Sequence, residues 1–200
     1  MAELWDVYDV ERRPVGRTME RVLTPPRGDY HVTVQLCLFN ERGQMLIQRR
    51  VDWKDSWPGR WEFSAGGSAL AGETSHAAAQ RELAEEIGYA ADLAALRPAF
   101  TLNHVGEFYD FYLLAARPGL DLATLRLQPE EVAAIRWASQ EDIHRLIAAE
   151  QFVPFLPTLV DFVFEVWAIW GEGPISATTR PYVPPAAPVH SAQRPEEGRP

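Results

Sequence analysis

Residues 31–39 read His-Val-Thr-Val-Gln-Leu-Cys-Leu-Phe, a run rich in apolar and β-branched side chains that predicts a central strand. The turn Asn40-Glu41-Arg42-Gly43 follows and apolar residues resume over 44–49, so the two segments are expected to pair as an antiparallel hairpin. Ahead of them, 4–10 and 15–19 flank a turn near 12–14 and predict a smaller hairpin, closed off by Pro25, Pro26 and Gly28. A loop containing Pro58-Gly59 leads to a short strand at 60–64, which runs into Gly66-Gly67. The pattern then changes to helical spacing over 73–87, where Thr74 or Ser75 can cap the first amides and Gly88 ends the segment. Strands are expected again at 97–102, 107–116 and 133–137, and helices at 140–149 and 157–170. This irregular alternation predicts an α+β fold, an α/β/α sandwich on a mixed central sheet, with no repeated β-α-β unit.

Composition narrows the function classes. Two hundred residues with 46% hydrophobic content suffice for one core, read here as an N-terminal hairpin and linker at 1–28, a main domain at 29–172 and a Pro-rich tail at 173–200 without fixed structure. Against 19 basic side chains stand 28 acidic ones, and a net charge of −9 repels nucleic acid and gives no attraction to an anionic membrane surface. The single cysteine, Cys37, excludes an intrachain disulfide and favours a reducing compartment, the cytoplasm. Glu3 and Asp6 stand where an export signal would carry basic and then apolar residues. The most apolar stretch, 152–170, is interrupted by Pro154, Pro157, Asp161 and Glu165, which argues against a membrane span. Its aromatics can seat a second copy, giving a homodimer, or pack within the molecule.

The candidate chemistry lies in the helix at 73–87. With Glu82 set at zero on a helical wheel, Glu86 falls at about 40° and Glu85 at about −60°, so three carboxylates share an arc of roughly 100°. Ala79, Leu83 and Ile87 form the apolar stripe beside that arc. Like charges at this spacing repel, and only Arg81 offsets them locally. A solvated acidic face is one reading of such a run. A divalent cation is the other, because Gly66-Gly67 permits close backbone approach and offers the hard oxygen atoms that magnesium takes together with carboxylates.

Gly67, five residues, Glu73, seven residues, then Arg81-Glu82-Leu83-Ala84-Glu85-Glu86-Ile87-Gly88 resembles the signature of the Nudix hydrolase family, GX5EX7REUXEEXGU. Tyr89 is the one departure, standing where the family usually has an aliphatic residue. The resemblance implies a Nudix-type sandwich and Mg²⁺-dependent cleavage, with Mn²⁺ as a substitute, of a diphosphate bond in a small-molecule substrate. By position, Glu82, Glu85 and Glu86 would bind metal together with the backbone carbonyl at Gly66, while Glu73 and Arg81 would form an internal ion pair and Gly67 and Gly88 would serve the motif's turns. The general base in such enzymes is either a glutamate of the signature helix, Glu82 or Glu85 here, or one from a later loop. Glu131, preferred over Glu130, occupies such a later position, and a solvated turn is the plain alternative.

The segments around Trp5, His31, Gln48 to Arg50 and Trp57 to Trp61 resemble the branch that includes isopentenyl-diphosphate isomerase. That reaction requires a cysteine acid/base and a histidine two residues on. Gly66 and Ser68 occupy the corresponding positions, so the proton donor is missing, and His31 is left outside the metal set. A non-catalytic diphosphate-binding module is a further alternative. Arg49, Arg50, Lys54 and Arg60 are candidate phosphate-binding residues, or else ordinary surface charge.

Overall fold

The computed structural model describes residues 3–22, 24–93 and 96–170. The Pro-rich segment 173–200 lies outside the described residues. Strand β1 (Leu4–Tyr8) and β2 (Pro14–Glu20) form a separate antiparallel hairpin. The main sheet has seven strands built around β3 (His31–Phe39), all nine residues of which are buried. That burial explains its nearly continuous apolar run, because a strand covered on both faces has no outward polar face. Along its whole length β3 pairs in parallel with β8 (Glu107–Ala115), and β8 in turn pairs with the edge strand β7 (Phe100–His104).

Two expectations need correction. Segments 31–39 and 44–49 do not zip together: β3 and β4 (Met45–Arg50) pair only at Phe39 and Met45. Instead β9 (Val132–Ala138) runs beside β4, and β6 (Ala65–Ser68) takes Thr33 to Leu36 of β3. The strand expected at 60–64 is divided, with β5 (Trp61–Glu62) on β4 and β6 on β3. Ser64 fills the break: its hydroxyl donates to Leu46 O at 2.6 Å and accepts from Leu38 N–H at 2.8 Å, joining β4 to β3 where they diverge.

Helices cover both faces. On one side Val32, Val34, Leu36 and Leu38 pack with Ala78, Ala79, Leu83 and Ile87 of α1 (Ser75–Ile87). On the other, Cys37 and Phe39 pack with Ile143 and Leu146 of α2 (Gln140–Ala148) and with Val160 and Val163 of α3 (Pro157–Trp170). Phe39 stacks on Trp167 at 4.5 Å and meets Phe164 edge-on at 5.2 Å, so much of the aromatic content of α3 is used within the chain. Phe162 and Ile169 stay exposed. Among the described residues no helix is long and apolar enough to cross a membrane.

Candidate active site

Local chemistry fixes both ends of α1. Thr74 at the N-cap accepts from the amide of Ala77, and Gly88 closes the helix in the left-handed region at φ 66°. A side chain at Gly88 would also meet the backbone of Arg126 at 2.9 Å, so glycine is required twice over. The apolar stripe seats α1 against β3 and carries Glu86 inward with it: Glu86 is buried, whereas the side chains of Glu82 and Glu85 are 13% and 54% exposed.

Arg81 organises the outer acids. Its Nε and one terminal nitrogen form a fork on Glu73 at 2.8 and 3.0 Å, and that same terminal nitrogen donates to Ser68 O at 3.0 Å. The remaining nitrogen reaches Glu82 at 2.8 Å and Glu85 at 3.1 Å. Burial opposes the charge of Glu73, yet Arg81 and the Leu70 amide hold its carboxyl below the usual range. Gly67 makes room for Glu82, and Gly66 for the close approach of β6 to β3. A Cβ at Gly67 would lie 2.2 Å from a Glu82 carboxylate oxygen, and one at Gly66 would lie 2.8 Å from Val34 O. The Gly66 amide donates to Glu86 at 2.9 Å, and the Gln48 side-chain amide donates to both Glu86 and Glu62 at 3.0 and 3.1 Å.

Gln48 and Glu62 join the acidic cluster in space, a contact that the sequence pattern does not predict. A glutamate set between Trp61 and Phe63, four residues before Gly66, was the available signal. Burial pushes the carboxyls of Glu62, Glu82 and Glu86 upward, and Glu86 goes well above the usual range as the charges of Glu62 and Glu82 add to that burial. Glu85 and Glu131 add further repulsion at Glu82. Glu131 pairs with Lys54, while Glu130 is exposed.

The other candidate cations are also engaged within the chain. Arg50 grips Glu62 at 2.8 and 3.0 Å and Ser56 at 2.9 Å. Arg49 holds Asp52 at 2.6 Å and Gly59 O at 3.0 Å. Arg60 donates to Phe152 O at 3.3 Å and lies over the Trp57 ring. His31 is buried beneath Trp5, with its ring centroid 4.0 Å away, and faces Glu107 at 3.5 Å rather than the acids of α1.

Hard carboxylate oxygens, a buried unpartnered Gln48 carbonyl oxygen and glycine backbone that lets them converge suit a divalent cation. Among the described residues no three acidic, histidine or cysteine side chains are already gathered tightly enough to hold one; Arg81 holds Glu82 and Glu85, and Gln48 and Gly66 hold Glu86. Cys37 is fully buried on the α3 side with its thiol pushed upward by burial, leaving no sulfur acid near Gly66.

Comparison with known proteins agrees with this architecture. The NUDIX domain model matches residues 29–159. A Nudix hydrolase of Listeria monocytogenes is 39% identical over 153 residues, spanning 76% of this chain and 89% of that protein. An isopentenyl-diphosphate Delta-isomerase of Streptomyces coelicolor is 30% identical over 167 residues, 80% of this chain and 83% of that one. A crystal structure of a Deinococcus radiodurans protein superposes with a TM-score of 0.64 at 25% identity, covering 82% of this chain and 99% of that one. With most of its length matched by the family model and with relatives of this similarity, the chain belongs to the Nudix family and is a Nudix hydrolase.

Proposed function

We propose that the chain cleaves a diphosphate bond in a nucleotide-like or other organic diphosphate by attack of water at phosphorus, with Mg²⁺ as the working ion and Mn²⁺ able to replace it. The observation that carries this reading is the convergence of carboxylates at the glycine pair: Glu82 lies against Gly67, Glu86 accepts from the Gly66 amide, and Gln48 links Glu86 to Glu62. Glu82, Glu85, Glu86 and the Gly66 carbonyl would hold the ion, which supplies positive charge for a polyanionic substrate and lowers the pKa of water. The attacking water must pass its proton to a carboxylate that it can reach. Glu131 and Glu85, whose side chains are 30% and 54% exposed, meet that need, and buried Glu86 does not. Glu131 is the base in this reading, and Glu85 or Glu82 the alternative.

On the substrate side Arg49, Arg50, Lys54 and Arg60 would bind phosphate oxygens. Lys54 changes partner most readily, because its ammonium makes one ion pair, with Glu131, whereas Arg50 is engaged at all three nitrogens, one on Glu62 and two on Ser56. Isomerisation is disfavoured despite the similarity to isomerases, since glycine at position 66 offers no proton to carbon. A screen of nucleoside di- and triphosphates, nucleotide sugars, dinucleotides and prenyl diphosphates with Mg²⁺, read by product mass, tests the reading. At least one class should be hydrolysed, and Glu85→Gln and Glu86→Gln should each lose most turnover while remaining folded. Double-bond migration in isopentenyl diphosphate without phosphate release would establish the isomerase instead. Tight binding without product would establish a non-catalytic module.

A further inference from the structure

The hairpin β1–β2 lies outside residues 29–159, which the family model covers, yet it grips the loop that leads into α1. That loop joins β6 to α1, and the partners of its amides can be followed one by one. Ala69 N–H donates to Val32 O at 2.8 Å and Glu73 N–H to Leu70 O at 2.9 Å. Leu70 N–H donates to the Glu73 carboxylate at 2.9 Å. The two amides between them turn to β1: Ala71 N–H donates to Leu4 O at 2.8 Å and Gly72 N–H to the Asp6 carboxylate at 2.7 Å. Gly72 sits at φ 84°, so this part of the loop is shaped by a residue with unusual conformational freedom, and β1 supplies the restraint. The loop sets Glu73, Glu73 fixes Arg81, and Arg81 presents Glu82 and Glu85.

A second clamp holds the start of the helix. Arg12, in the turn between β1 and β2 at φ 60°, donates to Asp110 at 2.8 Å and pairs with both of its oxygens. The Asp110 side chain has no exposed surface, and it also accepts from Thr101 at 2.6 Å and from the hydroxyl of Ser75, the first residue of α1. Trp5, stacked on His31, pins β1 to the first residue of β3. The hairpin therefore touches the loop at its middle and reaches the origin of the helix through Asp110 of β8.

We infer that the β1–β2 hairpin is a working part of the catalytic site, with Asp6 and Arg12 as positioning residues that hold the 69–74 loop and the start of α1 so that the Glu73–Arg81 pair presents Glu82 and Glu85 correctly. The inference rests on the reading of those acids as the cation-holding set, and the test separates the two. The full-length Asp6→Ala and Asp6→Asn variants are compared by amide hydrogen exchange over 66–87, by calorimetric titration with Mg²⁺ alone, and by kcat and KM on a diphosphate from the screen. Alanine removes the acceptor for the Gly72 amide, and asparagine keeps a carbonyl oxygen in its place. In Asp6→Ala, exchange at 70–73 should rise about tenfold while the last turn of α1 is unchanged, a local opening rather than global unfolding. Mg²⁺ uptake should weaken by about fivefold and kcat should fall with KM nearly constant, as for a group that acts on geometry. Asp6→Asn should restore all of these.

Arg12→Met combined with Asp110→Asn removes both charges of the second clamp, so no buried carboxylate is left unpaired, and it should loosen the loop and the first turn of α1 in the same way. Wild-type exchange and ion uptake in Asp6→Ala, or an Asp6→Asn variant that behaves like alanine, would overturn the inference. So would a loosened loop with unchanged Mg²⁺ uptake. If the wild-type chain itself took up no divalent ion, the cation-site reading would fall, and an unchanged loop exchange in Asp6→Ala would overturn the hairpin's role separately.

Discussion

Gly67→Ala puts the geometry of the site to a quantitative test. The backbone at Gly67 is not in the left-handed region, so alanine is conformationally tolerable there and the perturbation falls on its neighbour. The new Cβ would begin 2.2 Å from one Glu82 oxygen and 2.5 Å from its Cδ. To reach ordinary contact the carboxylate must retreat by roughly 1 Å, which also breaks its hydrogen bond to Arg81. One charge-assisted hydrogen bond of this kind is worth about 1.5–3 kcal/mol, and Glu82 recovers part of that because burial already disfavours its charge. The expected loss of stability is therefore about 1–2 kcal/mol, a fall in Tm of roughly 3–8 °C. Misplacing a reacting group by about 1 Å costs on the order of a hundredfold in rate, so turnover should fall far more than stability. Thermal unfolding, Mg²⁺ calorimetry and kcat on a diphosphate from the screen give the three readouts. Gly66→Ala is the control: its Cβ meets Val34 O on the rigid central strand at 2.8 Å, so it should damage the fold as well. A folded Gly67→Ala enzyme within about threefold of wild-type kcat would refute the argument that Glu82 must lie over that glycine.

Two further outcomes follow from the buried acids. Glu86→Gln removes a charge that burial and Glu62 both oppose while keeping a carbonyl oxygen for the Gly66 amide, so ion-free Tm should hold or rise while calorimetric Mg²⁺ uptake and turnover collapse. The pH dependence has a definite sign. A carboxyl raised above its ordinary 4.5, as at Glu86, keeps more protons in the folded than in the unfolded chain, so its contribution is full below that value and is lost as pH rises through the raised one. Glu73, which is lowered, acts in reverse, its contribution lost as pH falls through its depressed value. Urea midpoints from pH 4 to 8 in ion-free buffer should thus fall more steeply with pH in wild type than in Glu86→Gln, and identical slopes would contradict the burial argument.

Much of α1 was legible in the sequence because its determinants are local. Thr74 and Gly88 mark its ends, and helical periodicity alone places Glu82, Glu85 and Glu86 beside the apolar stripe. The partners of that helix were not legible. Gln48 reaches Glu86 across 38 residues, and Glu62 joins them only because β5 pairs with β4 in a register that sets Gln48 opposite Glu62. The expected pairing of 31–39 with 44–49 failed for a related reason: β3 takes β8 as its parallel partner from Glu107 onward, and no local turn specifies so distant a choice. The basic residues show the same limit from another side. Arg49, Arg50, Lys54 and Arg60 were singled out by closeness in sequence, whereas their present partners, Asp52, Glu62, Glu131 and the Phe152 carbonyl, follow from how the 51–60 loop folds back.

The site divides its acids by the work they can do. Glu73 has Arg81 as a forked partner and a backbone amide as a second donor, so ionisation stabilises it and it serves the fold. Glu86 has two neutral donors, no cation and another acid beside it, so ionisation costs stability wherever it stands alone. Glu82 lies between these cases, sharing one Arg81 nitrogen with Glu85 while Glu131 and Glu85 repel it. Arg81 can give up that shared nitrogen and still keep Glu73 and Ser68, so the loop stays fixed when the outer acids change partner. A purely structural acidic helix would have no reason to bury Glu86 beside Glu62 or to leave Glu82 half-neutralised over a glycine. Those features fit the proposed cation site, in which a divalent ion would supply the missing positive charge and the stability forgone at Glu86 would keep its carboxylate available for that ion.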